Sequence, residues 1–140
     1  MLAGALLTGI AGRALEAARE YALEREQFGR PIAAFQAIQH LLADMYVRVM
    51  LARSAAHAAA AILDDPTAGD AAASAASVKV VAGDAAMANA RACIQVHGGM
   101  GFTWEMIPHY LLKRTWVLEH GFGTPFEHAE ALAARLGAPA

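Results

Sequence analysis

The chain has 140 residues, 57% of them hydrophobic and 17% charged, with 11 basic against 13 acidic side chains and a net charge of −2. That composition can bury enough apolar surface to order one core, which excludes a disordered chain, and its balanced, dispersed charge offers no basic footprint for nucleic acid. A single cysteine, Cys93, excludes an internal disulfide and a thiolate metal cluster and points to a reducing, cytoplasmic setting.

The opening run MLAGALLTGI is too short to span a bilayer and lacks the basic start of a signal peptide, so it reads as the beginning of a helix and not as a membrane segment. From Leu2 to about Glu24 no proline intervenes, and Leu6, Ile10, Leu15, Ala18, Ala22 and nearby alanines keep an apolar stripe at helical spacing. Gly29 and Pro31, within REQFGRPIAAF, end this helix and open a loop of about ten residues. Ile38, Leu41, Leu42, Met45, Val49 and Ala52 recur at three and four and predict a long second helix to about Leu63.

DDPTAGD is a turn by composition, and Asp70 is placed to cap a third helix marked by Val78, Val81, Ala82, Ala85, Ala88 and Ala92 and running toward His97. Gly98, Gly99 and Gly101 end it. A fourth helix is expected from near Glu105 to His120, with Pro108 tolerated in its first turn, and a short fifth from Pro125 through Leu136. No alternating strand pattern, fixed-period repeat or linker interrupts the series. The expected fold is all-α: an antiparallel four-helix bundle with an additional short C-terminal helix, forming one domain over residues 1–140.

Two stretches are more specific than a bundle requires: YALEREQFGRPIAAFQAIQHLLADM, from Tyr21 to Met45, and QVHGGMGF, from Gln95 to Phe102. In this order, with a Gly-Thr turn further on, they resemble the C-terminal helical domain of the acyl-CoA dehydrogenase family, over nearly the whole chain. The resemblance implies one part of an FAD-dependent enzyme for α,β-dehydrogenation of an acyl-CoA thioester, with FAD shared with another subunit or with domains absent here. It implies a homo- or hetero-oligomer with acyl-CoA dehydrogenase-like subunits.

Carried over residue by residue, Arg25 matches the family arginine that reaches the FAD diphosphate of a neighbouring subunit, a role suited to a guanidinium fork. Gln27 and Phe28 complete the same arm. Gln36 matches a cofactor-bonding glutamine. Gln95, Gly98 and Gly99 match the adenosine-side contact, where a missing Cβ lets a dinucleotide approach the backbone. Thr124 matches the position beside the flavin. Read without the resemblance, Arg25 is a charge at a helix C-terminus and the glycines are a C-cap and turn; His97 faces solvent or the bundle.

The family reaction needs a carboxylate within reach of the substrate α-carbon, and many members carry it as a glutamate directly before Gly-Thr. A gap-free count from Gln95 puts Phe122 at that position, before Gly123 and Thr124. Phenylalanine accepts no proton. Glu119 is a weak candidate, expected in the last helical turn and about 5 Å out of place. Glu119, Glu127 and His128 otherwise read as solvated helix-end groups. Some members place the base on the first bundle helix, at a position mapping just upstream of Met1. No catalytic residue is therefore assigned, and the alternative to an enzyme part is a pseudo-subunit or interaction module without a base. Glu105 and His109 form one carboxylate-histidine pair where a di-metal bundle needs two, so no metal site is expected.

Overall fold

Alanine sets the spacing of the bundle, because a methyl side chain lets two helix backbones approach more closely than leucine does while still covering them from water. The computed structural model, which describes residues 1–136, shows five helices: α1 (Leu2–Glu24), α2 (Gln36–Asp64), α3 (Ala71–His97), α4 (Pro108–His120) and α5 (Pro125–Leu136). α3 is the central element and touches the other four. One core cluster joins Leu7, Ala11, Val49, Ala52, Val78 and Ala82, and a second joins Ala18, Ala22, Met45, Cys93 and Val96. α1 packs tightly on α3, where a Cβ on Gly4 would overlap Val78 Cγ1. At the centre Asn89 Nδ2 donates to Ala11 O at 3.1 Å and Met45 O at 3.0 Å, tying three helices through one side chain.

The helix limits follow the breakers in the sequence, and Asp70 caps α3 as expected, its Oδ1 accepting from Ala72 N at 2.9 Å and Ala73 N at 3.0 Å. Its other oxygen pairs with Arg135, pinning α5 to the start of α3. Three local features differ from expectation. The buried stripe of α1 is Ala3, Leu7, Ala11, Ala14, Ala18 and Ala22, whereas Leu6 lies 43% exposed; the alanine face goes inward because α1 packs so closely on α3.

The loop after α1 is ordered into a hairpin, β1 (Glu26–Gln27) paired antiparallel with β2 (Arg30–Pro31). Its two-residue tip has Phe28 at φ 55° and Gly29 at φ 76°, the doubly left-handed connection that matches strand twist. Finally, α4 begins at Pro108 and not near Glu105, because residues Gly98–Phe102 form a 3-10 turn folded against α3, so close that a Cβ on Gly101 would lie 2.9 Å from Ile94 O. Among the described residues no helix is long and apolar enough to cross a membrane.

Candidate functional site

In an up-down-up arrangement α1 and α3 finish at the same end of the bundle, and their ends build a cleft there. α1 stops at Arg25, whose backbone turns extended (φ −74°, ψ 119°) while its N–H still donates to Tyr21 O at 2.8 Å. Ile32 N then donates to Arg25 O at 2.8 Å, so the hairpin is folded back on the helix end. α3 stops at Gly98, at φ 60° and ψ −141°, a left-handed value that favours glycine. Between these ends lies an open cleft of ≈ 500 Å³ lined by Arg25, Gln27, Gln95, His97, Gly98 and Gly99 among others.

Five of the residues singled out by sequence thus share one surface: Arg25, Gln27, Gln95, Gly98 and Gly99. The Arg25 guanidinium is exposed and has no ion-pair partner among the described residues. Gln95 is exposed, and a Cβ on Gly98 or Gly99 would point into open space. A fork for an anionic group, amides for polar edges and bare backbone at the floor suit one wall of a dinucleotide site. Phe28 and Gln36 do not line this cleft. Phe28 stands at the hairpin tip, 92% exposed, edge-to-face with Phe35 at 6.1 Å between ring centroids, and Gln36 is the exposed first residue of α2.

His97 belongs to the bundle more than to solvent, at 5% exposure. Its Nδ1–H donates to Cys93 O at 2.8 Å, an assignment that follows from the carbonyl being an acceptor only, and this leaves Nε2 as an acceptor. Burial pushes the His97 pKa down, with the bond to Cys93 O opposing. Burial likewise pushes the Cys93 thiol up to about 12, so it is protonated and unreactive at neutral pH.

The Gly-Thr turn forms a second feature, at the opposite end of α4 from the glycine turn. Phe122 sits at φ 63° with its side chain 84% exposed, and Gly123 follows at φ 91°. Thr124 caps α5: its hydroxyl accepts from Glu127 N at 3.2 Å, while Glu127 Oε2 accepts from Thr124 N at 2.7 Å and Thr124 Oγ1 at 3.0 Å. This is a reciprocal capping box, and the Thr124 backbone bond, then its hydroxyl bond, hold the Glu127 carboxyl below its ordinary range. His128 Nε2–H donates to Phe122 O at 2.9 Å.

Glu119 lies in the last turn of α4, half-buried. Beneath the turn, Lys79 of α3 donates from Nζ to Leu118 O and Gly121 O, both at 2.6 Å. Sequence reading did not single out Lys79; the available signal was one lysine on an alanine-rich helix between core positions Val78 and Ala82. Glu105 is exposed, outside α4, while His109 is buried between Trp104 and Tyr110, so the two do not form a ligand pair on one helix. No group of three metal-ligating side chains occurs among the described residues.

A family model described as "Acyl-CoA dehydrogenase, C-terminal domain" matches residues 1–137. The chain is 47% identical over 118 residues to acyl-CoA dehydrogenase FadE34 of Mycobacterium tuberculosis, a match covering 82% of this chain and 16% of that protein. The solved butyryl-CoA dehydrogenase of Megasphaera elsdenii superposes with a TM-score of 0.91 at 30% identity, over 96% of this chain and 34% of that one. A chain of the ChsE4-ChsE5 complex from Mycobacterium tuberculosis gives 0.89 at 31% identity, over 99% and 37%. The chain therefore spans between 16% and 37% of the length of these relatives.

Proposed function

Since this chain belongs to the acyl-CoA dehydrogenase family, as a C-terminal helical domain, we propose that it supplies one wall of an FAD site and an assembly surface for α,β-dehydrogenation of an acyl-CoA thioester. The observation that carries this reading is the cleft where Arg25, Gln27, Gln95, Gly98 and Gly99 meet. Arg25 would pair with the diphosphate, Gln27 and Gln95 would bond polar edges of the adenosine half, and Gly98 and Gly99 would admit it to the backbone. Phe28 and Gln36 would meet the cofactor from the hairpin tip and the start of α2, and Thr124 would lie beside the flavin. FAD, when bound, accepts the hydride from the substrate β-carbon.

Exposed apolar side chains, among them Tyr46, Val47, Leu51, Trp104 and Phe126, suit burial against acyl-CoA dehydrogenase-like subunits in a homo- or hetero-oligomer. A second reading, a subunit that completes a partner's FAD site without a base of its own, is favoured by Phe122.

The test is flavin retention. In an assembly reconstituted with a full-length acyl-CoA dehydrogenase subunit, Arg25→Ala should weaken FAD binding by about 10- to 100-fold, the span of one charge-assisted hydrogen-bonded contact. Arg25→Lys should fall between, keeping charge without the fork. Unchanged flavin absorbance after gel filtration of Arg25→Ala would remove Arg25 from the site.

A further inference from the structure

We infer that Lys79 is the positioning residue of the Gly121–Thr124 turn: its ammonium fixes the backbone on which the side chain of residue 122 is presented. Lys79 reaches across the bundle from α3, 4% exposed, and spends two of its three donors on Leu118 O and Gly121 O at 2.6 Å each. Leu118 O is one of the last carbonyls of α4, which lack helical partners, and a cation at that end also meets the negative pole of the helix. A hydrogen-bonding polar group would have served to satisfy two carbonyls. Burying a full charge for the purpose is costlier, and it yields shorter, stronger bonds.

The remaining contacts of the turn converge on the same result. His128 holds Phe122 O at 2.9 Å, the Thr124–Glu127 box fixes the residue after Gly123, and Gly83, one turn beyond Lys79, leaves room for Pro125, since a Cβ there would lie 3.2 Å from Pro125 Cγ. Within this frame Phe122 keeps a left-handed φ of 63°, a conformation unfavourable for a residue with a Cβ. Its ring is exposed and recovers nothing by packing. The conformation is imposed on Phe122 by its anchors, with Lys79 the only buried charge among them. The functional weight of this clamp rests on the reading that the turn lies beside the flavin; the clamp itself does not.

The chain has two lysines, Lys79 and Lys113, so selective ¹⁵N-lysine labelling gives two side-chain signals. In the wild-type chain the Lys79 ammonium should be observable and slow to exchange, and the exposed Lys113 ammonium should not. Lys79→Met should accelerate amide exchange at Gly121, Phe122, Gly123 and Thr124 by at least about tenfold over any change in α1 to α3, as expected for a local opening. It should also abolish the single Nε2–H tautomer of His128 while leaving the Nδ1–H tautomer of His97 intact. Lys79→Arg, which keeps a cationic donor, should restore part of both signatures.

Equal acceleration in every helix, or none at the turn, would overturn the inference. So would a Lys79 ammonium that exchanges as fast as Lys113, a measurement that stands even if Lys79→Met does not fold. A flavin spectrum unchanged by Lys79→Met in the reconstituted assembly, with the local signatures present, would count against the flavin-facing reading alone.

Discussion

The ring of Tyr21 stacks on that of His97, with centroids 4.2 Å apart and planes 21° from parallel, joining the last turn of α1 to the last turn of α3 beside the cleft. The stack keeps His97 dry and neutral, and burial holds its pKa below the ordinary 6.5. An unfolded chain then takes up this proton at a higher pH than the folded one, so stability falls as pH drops through 6.5 toward the lower folded value. Arg13, Glu20 and Glu24 of α1 and Glu105 border the groove on one side of the ring and Arg25 the cleft on the other, so the comparison belongs at an ionic strength that screens them. The chain has 6 histidines, and the His97 share is isolated by comparing wild type with His97→Phe, which keeps an aromatic partner for Tyr21. The variant should lose less in thermal midpoint between about pH 7.5 and about pH 5.5. An identical loss in both would show that His97 does not resist protonation.

Thr124 carries a structural duty whatever it faces in an assembly. Thr124→Ala removes the side-chain half of the capping box and should destabilise the chain by about 1 kcal/mol, while Thr124→Ser should stay close to wild type. Urea unfolding with a common slope measures both. If Thr124→Ala is neutral in urea yet lowers flavin retention in the assembly, its hydroxyl serves the cofactor and not the cap.

Most helix limits were legible because each is enforced by a local rule: Pro31, Asp70, Gly98 and Pro125 act on the backbone wherever the chain packs, whereas the sequence points to a start of α4 near Glu105 and the helix begins at Pro108. The inward face of α1 was not, since Leu6 and Leu7 fit a helical stripe equally well in so apolar a sequence. The close packing of α1 on α3, as at Gly4 against Val78, turns the alanine face inward. The hairpin escaped notice because strands of two residues have no periodicity to read. The cleft was half legible: two parallel helices in an up-down-up bundle must end together, which brings Arg25 to Gln95 and Gly98, but Phe28 and Gln36 follow the hairpin and the start of α2 to other surfaces. Lys79 stood out only as a lone lysine among core positions, and its role was not legible because its partners are carbonyls of residues about forty positions away, which carry no side-chain signature.

Cys93 is the chain's one thiol, and burial moves its pKa from 9.0 to about 12. Above pH 9 the unfolded thiol therefore ionises while the folded one keeps its proton, so this group lowers stability as pH rises. By pH 10 the loss is about 1 kcal/mol. Lys79 opposes it, because burial depresses its pKa and the folded state gains as its proton leaves. Cys93→Ala should thus flatten or reverse the alkaline slope relative to wild type, after allowing for the cavity it creates. Native chain should also resist alkylation at neutral pH, read by mass spectrometry as a single adduct that appears only on unfolding. Rapid alkylation of the folded chain would contradict the burial of Cys93.

Phe122 decides whether this turn can take part in proton abstraction. Its side chain projects from a backbone held at φ 63°, 84% exposed, directly before Gly123 and Thr124, and it has no group to accept a proton. Glu119 is a full turn of chain away, in the last turn of α4, where its charge offsets part of the burial penalty on the Lys79 ammonium. In a reconstituted assembly whose sites otherwise lack a base, Phe122→Glu should create or raise activity toward acyl-CoA, because the new carboxylate would inherit a clamped backbone. Glu119→Gln should leave turnover nearly unchanged. A positioned general base contributes about a hundred- to ten-thousand-fold, so the two outcomes are well separated. Flavin bleaching on mixing with acyl-CoA reports the reductive step, and turnover with an electron acceptor reports the cycle. Should Glu119→Gln abolish both signals with bound flavin and fold intact, Glu119 is the base, and the gap-free placement of Phe122 at the carboxylate position is wrong.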